Sequence, residues 1–284
     1  MRWQGRRQSE NIEDRRGLRV SRGGLLGGGV AAVAVVLLAV YLGVDPSVLL
    51  QGSAMQSVQI TSEPYRESLH EAEWRQQIAV ALAETEDAWN AVFADLGGDY
   101  REPTLVLFTG AVESGCGFAE AAVGPFYCPP DEDLYIDLSF FDQLDAQLGA
   151  RGDFARAYVV AHEVGHHVQN LLGASDRVQE LQRRVGRIEA NQLSVRLELQ
   201  ADCFAGLWAH RADKYAGILE AGDAREALAA ASAVGDDRLQ QSAGRAVVPD
   251  SFTHGSSEQR MRWFRRGFEM GSVEDCDTFK AADL

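Results

Sequence analysis

Two histidines four positions apart, with a glutamate directly after the first, stand in the run Ala157-Tyr158-Val159-Val160-Ala161-His162-Glu163-Val164-Gly165-His166. The apolar spacing of this run predicts a helix, on which residues four apart share a face about one turn apart. His162 and His166 can then hold one metal ion between them, the H-E-x-x-H arrangement of a zinc hydrolase. Glu163 projects beside that face, where a carboxylate that is not itself a ligand can take a proton from a water polarised by the metal. Catalytic zinc usually takes three protein ligands and leaves the fourth position to water, so a third ligand must come from elsewhere. Glu198 is the best candidate, because Leu197-Glu198-Leu199-Gln200-Ala201-Asp202 reads as a second helical run in which Glu198 and Asp202 share a face. Asp202 would accept a hydrogen bond from the outer nitrogen of a ligand histidine and fix its tautomer. The bland alternative, a solvated helix with two surface histidines, fits poorly with flanking residues as apolar as Val159, Val160 and Val164. One Zn2+ per chain is the expected cofactor.

Beyond the metal motif, the chain resembles the gluzincin branch of zinc metallopeptidases, and more narrowly the YpfJ-like bacterial neutral zinc metallopeptidase family. The resemblance rests on Met1-Arg2-Trp3, Ser114-Gly115-Cys116-Gly117, Gly124-Pro125-Phe126-Tyr127-Cys128-Pro129, the His162 run, Glu198 to Gly206, and His254-Gly255-Ser256-Ser257. It therefore spans nearly the whole sequence. It implies a peptide or protein substrate and a zincin-like metallopeptidase domain, α+β and predominantly helical with a small sheet. A similar histidine motif follows the zinc ligands in some membrane-bound gluzincins. On that resemblance His254 is a candidate donor to the oxyanion formed at a scissile carbonyl, with a capping or structural histidine as the alternative. Arg260 either supports the same charge or pairs with an acidic neighbour.

The net charge of −15 over 284 residues argues against a nucleic-acid partner. The charge is uneven. Residues 1–22 carry seven arginines against Glu10, Glu13 and Asp14, and residues 23–44 carry no charged side chain at all. About twenty apolar residues suffice to cross a bilayer as a helix, and no convincing small-residue cleavage site precedes Asp45-Pro46, so an uncleaved anchor is preferred to a signal peptide. The basic flank then belongs in the cytoplasm and the remainder outside it. The expected organisation is a cytoplasmic basic tail (1–22), a single transmembrane anchor (23–44), a linker (45–64) and an extracytoplasmic metallopeptidase domain (65–284).

Four cysteines suit an oxidising compartment. Three pairings are possible. Cys116 with Cys128, closing a Gly-rich loop, and Cys203 with Cys276, tying the C-terminal tail to the Glu198 helix, are favoured. Cys203 as a zinc ligand is disfavoured because it falls on a different helical face from Glu198.

Helical spacing through Leu69, Trp74, Ile78, Leu82, Trp89 and Val92 predicts a core helix over 65–96, in which His70 is structural. Residues 103–108 and 134–138 read as strands, separated by a long loop (109–131) and followed by a helix over 139–148. An extended substrate is expected along either the 134–138 strand or the 115–126 loop. Asp153 is the expected N-cap of the zinc helix, which stops at Gly173. His167 faces away from the ligands and His210 lies too far along its helix to reach the metal. Further helices are expected over 175–190, 194–215 and 224–241, and a last one is capped by Thr253 or Ser256. Nothing resembles a phosphate-binding loop or a serine nucleophile motif. The rival to an enzyme is a catalytically silent zinc-containing envelope binding or scaffold protein, against which the intact Glu163 argues.

Overall fold

The computed structural model describes residues 1–22, 58–62, 64–146 and 149–284. Its strands are β1 (Ile12–Asp14), β2 (Leu18–Arg22), β3 (Val58–Ser62), β4 (Thr104–Phe108), β5 (Ala111–Ser114), β6 (Gly117–Glu120), β7 (Phe126–Cys128) and β8 (Asp133–Asp137). The sheet that supports the site has the order β1-β4-β8-β7, with β1, β4 and β8 parallel and β7 antiparallel to β8. Period-2 alternation sends Leu105, Leu107, Leu134 and Ile136 into the main core, while Val106, Phe108 and Tyr135 form a smaller cluster on the opposite face. The segment 109–131, expected as a loop, is instead the β5–β6 hairpin, a 3-10 turn and β7, clipped by the Cys116–Cys128 disulfide. One expectation for substrate placement is corrected here. The 134–138 strand lies between β4 and β7, so both its edges are already paired, and the edge strands of this sheet are β1 and β7.

The helices are α1 (Leu69–Asp95), α2 (Ser139–Ala146), α3 (Asp153–Leu171), α4 (Ala174–Gln182), α5 (Arg187–Ala216), α6 (Asp223–Ala233), α7 (Asp236–Ser242) and α8 (Ser257–Met270). A capping box starts α1, with Ser68 and Glu71 each satisfying the other's backbone N–H. Leu69, counted above among the core positions, is 90% exposed because it precedes the first buried turn. The helices expected over 175–190 and 224–241 each break at a glycine. Gly235 has to be bare, since a Cβ there would lie 2.5 Å from the backbone nitrogen of Ser257. Ser256 rather than Thr253 caps α8, in a second capping box with Gln259.

Helices α5 and α8 touch backbone to backbone. A Cβ on Gly267 would lie 1.9 Å from the carbonyl oxygen of Cys203, and one on Gly206 2.0 Å from that of Phe264. The Cys203–Cys276 disulfide, both of whose residues are fully buried, locks the C-terminal tail to α5, so both favoured pairings are present. Replacing both Cys203 and Cys276 by serine is expected to cost about 2–5 kcal/mol, because the bridge closes a long loop. Urea unfolding with and without reductant checks this, and identical midpoints for variant and parent under oxidising conditions would refute it.

The first residues differ most from expectation. Residues 1–22 are not a tail set apart from the domain. The amino group of Met1 lies 2.5 Å from Asp153 and 3.3 Å from Asp223, and β1 pairs with β4 as part of the main sheet. Asp153 is thus the first residue of α3 rather than its cap, which is Gly152. Arg16, 5% exposed, is held by Asp14 and Glu67. Strand β2 pairs antiparallel with β3, with Arg22 opposite Val58. The expected anchor (23–44) and most of the linker lie outside the described residues, and no helix among the described residues is long and apolar enough to cross a membrane.

Candidate metal centre

Helix α3 carries the two histidines and α5 the glutamate, and the two helices meet at Gly165. A Cβ on Gly165 would stand 2.9 Å from the carbonyl oxygen of Ala201, so a side chain there would force α5, and Glu198 with it, away from the histidines. At this contact His162 Nε2 lies 3.3 Å from Glu198 Oε2, and His166 Nε2 lies 3.4 Å from Glu198 Oε1. Zinc bonds of about 2.0–2.1 Å to nitrogen and oxygen imply tetrahedral edges of roughly 3.3 Å. The two histidine–carboxylate distances are compatible with such edges, and one ligand atom from each of the three residues lies within 4.8 Å of the others. Of the residues expected at the metal, the structure brings His162, His166 and Glu198 together.

The outer nitrogens of both imidazoles are engaged, which leaves each Nε2 turned inwards. His162 Nδ1 lies 2.9 Å from Asp202 Oδ1, the partner expected from the sequence. His166 Nδ1 lies 2.9 Å from Gln169 Oε1, and the Gln169 amide donates onward to the carbonyl of Leu197 on α5. Asp202 is fully buried and completely satisfied. Its Oδ1 accepts from Tyr158 Oη and from Arg260 Nη2, and its Oδ2 accepts from Arg260 Nε at 2.8 Å. Arg260 thus pairs with an acidic neighbour.

The charged groups of this cluster act strongly on one another. Burial alone would lower the pKa of His162, yet the Asp202 carboxylate, helped by Glu198, raises it to about 9. Burial alone would raise that of Glu198, but the two imidazoles hold it well below the usual carboxylate range. Asp202 is likewise held low, because Arg260 and His162 outweigh its desolvation.

The centre opens onto a cleft of about 800 Å³ whose walls include Glu163, Tyr127, Val178 and His254. His254 Nδ1 lies 3.2 Å from Asp236 Oδ1, and the hydrogen bond to Asp236 raises its pKa. Asp236 Oδ2 also accepts from the backbone N–H groups of Thr253, His254 and Gly255, which fixes the loop carrying the imidazole. His167 is fully buried, and burial lowers its pKa. Its Nε2–H donates to the carbonyl of Arg101 and its Nδ1 accepts from Tyr127 Oη, which also accepts from Asn170. His167 therefore ties edge strand β7 to the zinc helix and sets the spacing of the cleft walls. His210 lies elsewhere, donating to the carbonyl of Phe268.

A family model described as "Putative neutral zinc metallopeptidase" matches residues 1–279. The chain belongs to that family. "Uncharacterized protein YpfJ" of Escherichia coli (strain K12) is 50% identical over 290 residues, covering 98% of this chain and 99% of that protein. "Uncharacterized protein Rv2575" of Mycobacterium tuberculosis (strain H37Rv) is 42% identical over 258 residues, covering 87% of this chain and 86% of that protein. No solved structure matches the chain. Membership of this family implies zinc, and the donor set fits it.

Sequence reasoning did not single out Gln169, Tyr158 or Asp236. The first two carried a signal, because they lie three residues after His166 and four before His162, within reach along one helix. Asp236 carried none.

Proposed function

We propose that the chain hydrolyses peptide bonds as a zinc metallopeptidase, with His162, His166 and Glu198 as the metal ligands and Glu163 as the general base. One observation carries this reading: three donors from two helices converge close enough to share one metal ion in a cleft that also presents Glu163. When bound, zinc supplies Lewis acidity, lowering the pKa of a water and polarising the scissile carbonyl. Glu163 takes the proton from the attacking water and delivers it to the leaving amine. Asp202 and Gln169 hold the ligand imidazoles in register. His254 donates to the oxygen on which negative charge develops. The test is direct: the purified full chain binds one zinc, cleaves casein or a mixed peptide library, and stops on chelation. One zinc per chain with no cleavage of any peptide would make it a zinc-containing binding protein instead.

The Asp236–His254 pair gives this reading a pH signature. A His254 pKa raised above its ordinary 6.5 keeps the imidazolium populated beyond that pH, and the donor is lost as pH rises through the raised value. The basic limb of kcat/KM therefore lies above pH 6.5, and Asp236→Asn is expected to move it downwards. A limb unmoved by Asp236→Asn in the pH profile would take His254 out of the mechanism.

We also propose that the domain works outside the cytoplasm, attached to a membrane through the apolar segment 23–44. Two disulfides suit an oxidising compartment. The β2–β3 pairing supports a topology in which residues 1–22 lie on the same side of that membrane as the catalytic domain. Full-length protein is expected to sediment with membranes, and a variant with 23–57 replaced by a short Gly-Ser turn to stay soluble with unchanged activity. Membrane association that survives the deletion would refute the assignment.

A further inference from the structure

The charges that face the cleft are already committed. Among the described residues lining it, the ionisable side chains other than tyrosine are the three metal donors, Glu163, His254 and Arg260. Arg260 is 3% exposed and spends its guanidinium on both oxygens of Asp202, on Tyr158 Oη and on the carbonyl of Val234. His254 is tied to Asp236. An enzyme that trims chain ends has to pair the terminal ammonium or carboxylate of its substrate with a fixed opposite charge near the scissile bond. Leaving such an ion desolvated and unpaired costs far more than a neutral group does. Among the described residues lining the cleft, no ionic side chain is left over for that task.

What remains of the walls is neutral. Val123, Pro125, Phe126 and Phe140 line the side of β7 and α2, and Val178 and Leu239 line the side of α4 and α7. The polar side chains between them are uncharged, as with Gln143, Gln179 and Gln182. Val123 is 67% exposed, so the apolar wall runs out to solvent rather than ending in a closed pocket. A cleft of this kind takes a continuous extended chain whose side chains near the scissile bond are uncharged.

We propose that this chain is an endopeptidase that cleaves within extended, apolar stretches of polypeptide, without recognising either terminus. The inference rests on the hydrolase reading above. Peptides of mixed sequence, each with free ends and with an acetylated N-terminus plus an amidated C-terminus, are incubated with the zinc-loaded full chain and the products sequenced by mass spectrometry. Blocked and free forms are expected to be cut at the same internal bonds with rates within about threefold. Placing Asp, Glu, Lys or Arg beside the scissile bond should lower kcat/KM by roughly 10–200-fold. Val123→Asp, at an exposed wall position, should recover about 2–5-fold of the loss for lysine-containing peptides. Release of one or two residues from free ends only, or preferred cleavage beside a charged residue, overturns this inference and leaves the hydrolase intact. Absence of any zinc-dependent cleavage overturns both.

Discussion

Glu163→Gln is expected to keep one zinc per chain and to lower kcat/KM for peptide hydrolysis by about 10²–10⁴-fold, the usual contribution of a positioned general base. Glutamine preserves the shape of the side chain and removes its capacity to accept a proton. Glu163 lies in the cleft wall and is not among the three donors that converge on the centre, so metal binding has no need of its charge. His162→Ala and Glu198→Ala remove donors and are expected to lose zinc and activity together. Metal analysis alongside kcat/KM separates the two outcomes. A Glu163→Gln protein that hydrolyses at the parent rate would take the base assignment away, and one that loses zinc would make Glu163 a ligand.

The centre was legible in the sequence because its parts are local. A period of 3.6 residues puts His162 and His166 on one face, and the same period places Glu198 four residues before Asp202. Helix type followed from spacing in the same way, whereas the sequence left three cysteine pairings possible and only favoured the one present. What escaped was long-range or short. Strand β7 is three residues inside a Gly, Pro and Cys-rich stretch, too brief for alternation to register. Asp236 meets His254 across eighteen positions and two elements, and nothing in either neighbourhood announces the other. Residues 1–22 misled because a basic run before an apolar segment has the composition of a cytoplasmic flank. Their partners, Asp153, Asp223 and β4, lie far away in the chain.

Arg260→Met is expected to destabilise the fold by about 3–5 kcal/mol, because it leaves Asp202 as a buried charge with its main counter-ion gone. Asp202 is fully buried and arginine holds both of its oxygens, so lysine, a single point donor, should recover only part of the loss. Asp202→Asn removes the negative charge and weakens the hold on His162, for which a 10–100-fold loss of zinc affinity is expected. The double variant Arg260→Met, Asp202→Asn should unfold at higher urea than Arg260→Met alone, since the orphaned carboxylate is no longer there, and the cycle measures the coupling. The sign of the pH dependence is fixed as well. Asp202 has its pKa depressed below 3.8 in the fold, so the stability it contributes is present above that value and is lost as pH falls through the depressed one. Without Arg260 the carboxyl group titrates higher, and the deficit of the variant against the parent should therefore shrink on acidification, as Asp202 protonates and stops being an uncompensated charge. Additive losses in the cycle, or a deficit independent of pH, would mean that Arg260 acts by packing α8 against α5 rather than by holding the carboxylate that orients His162.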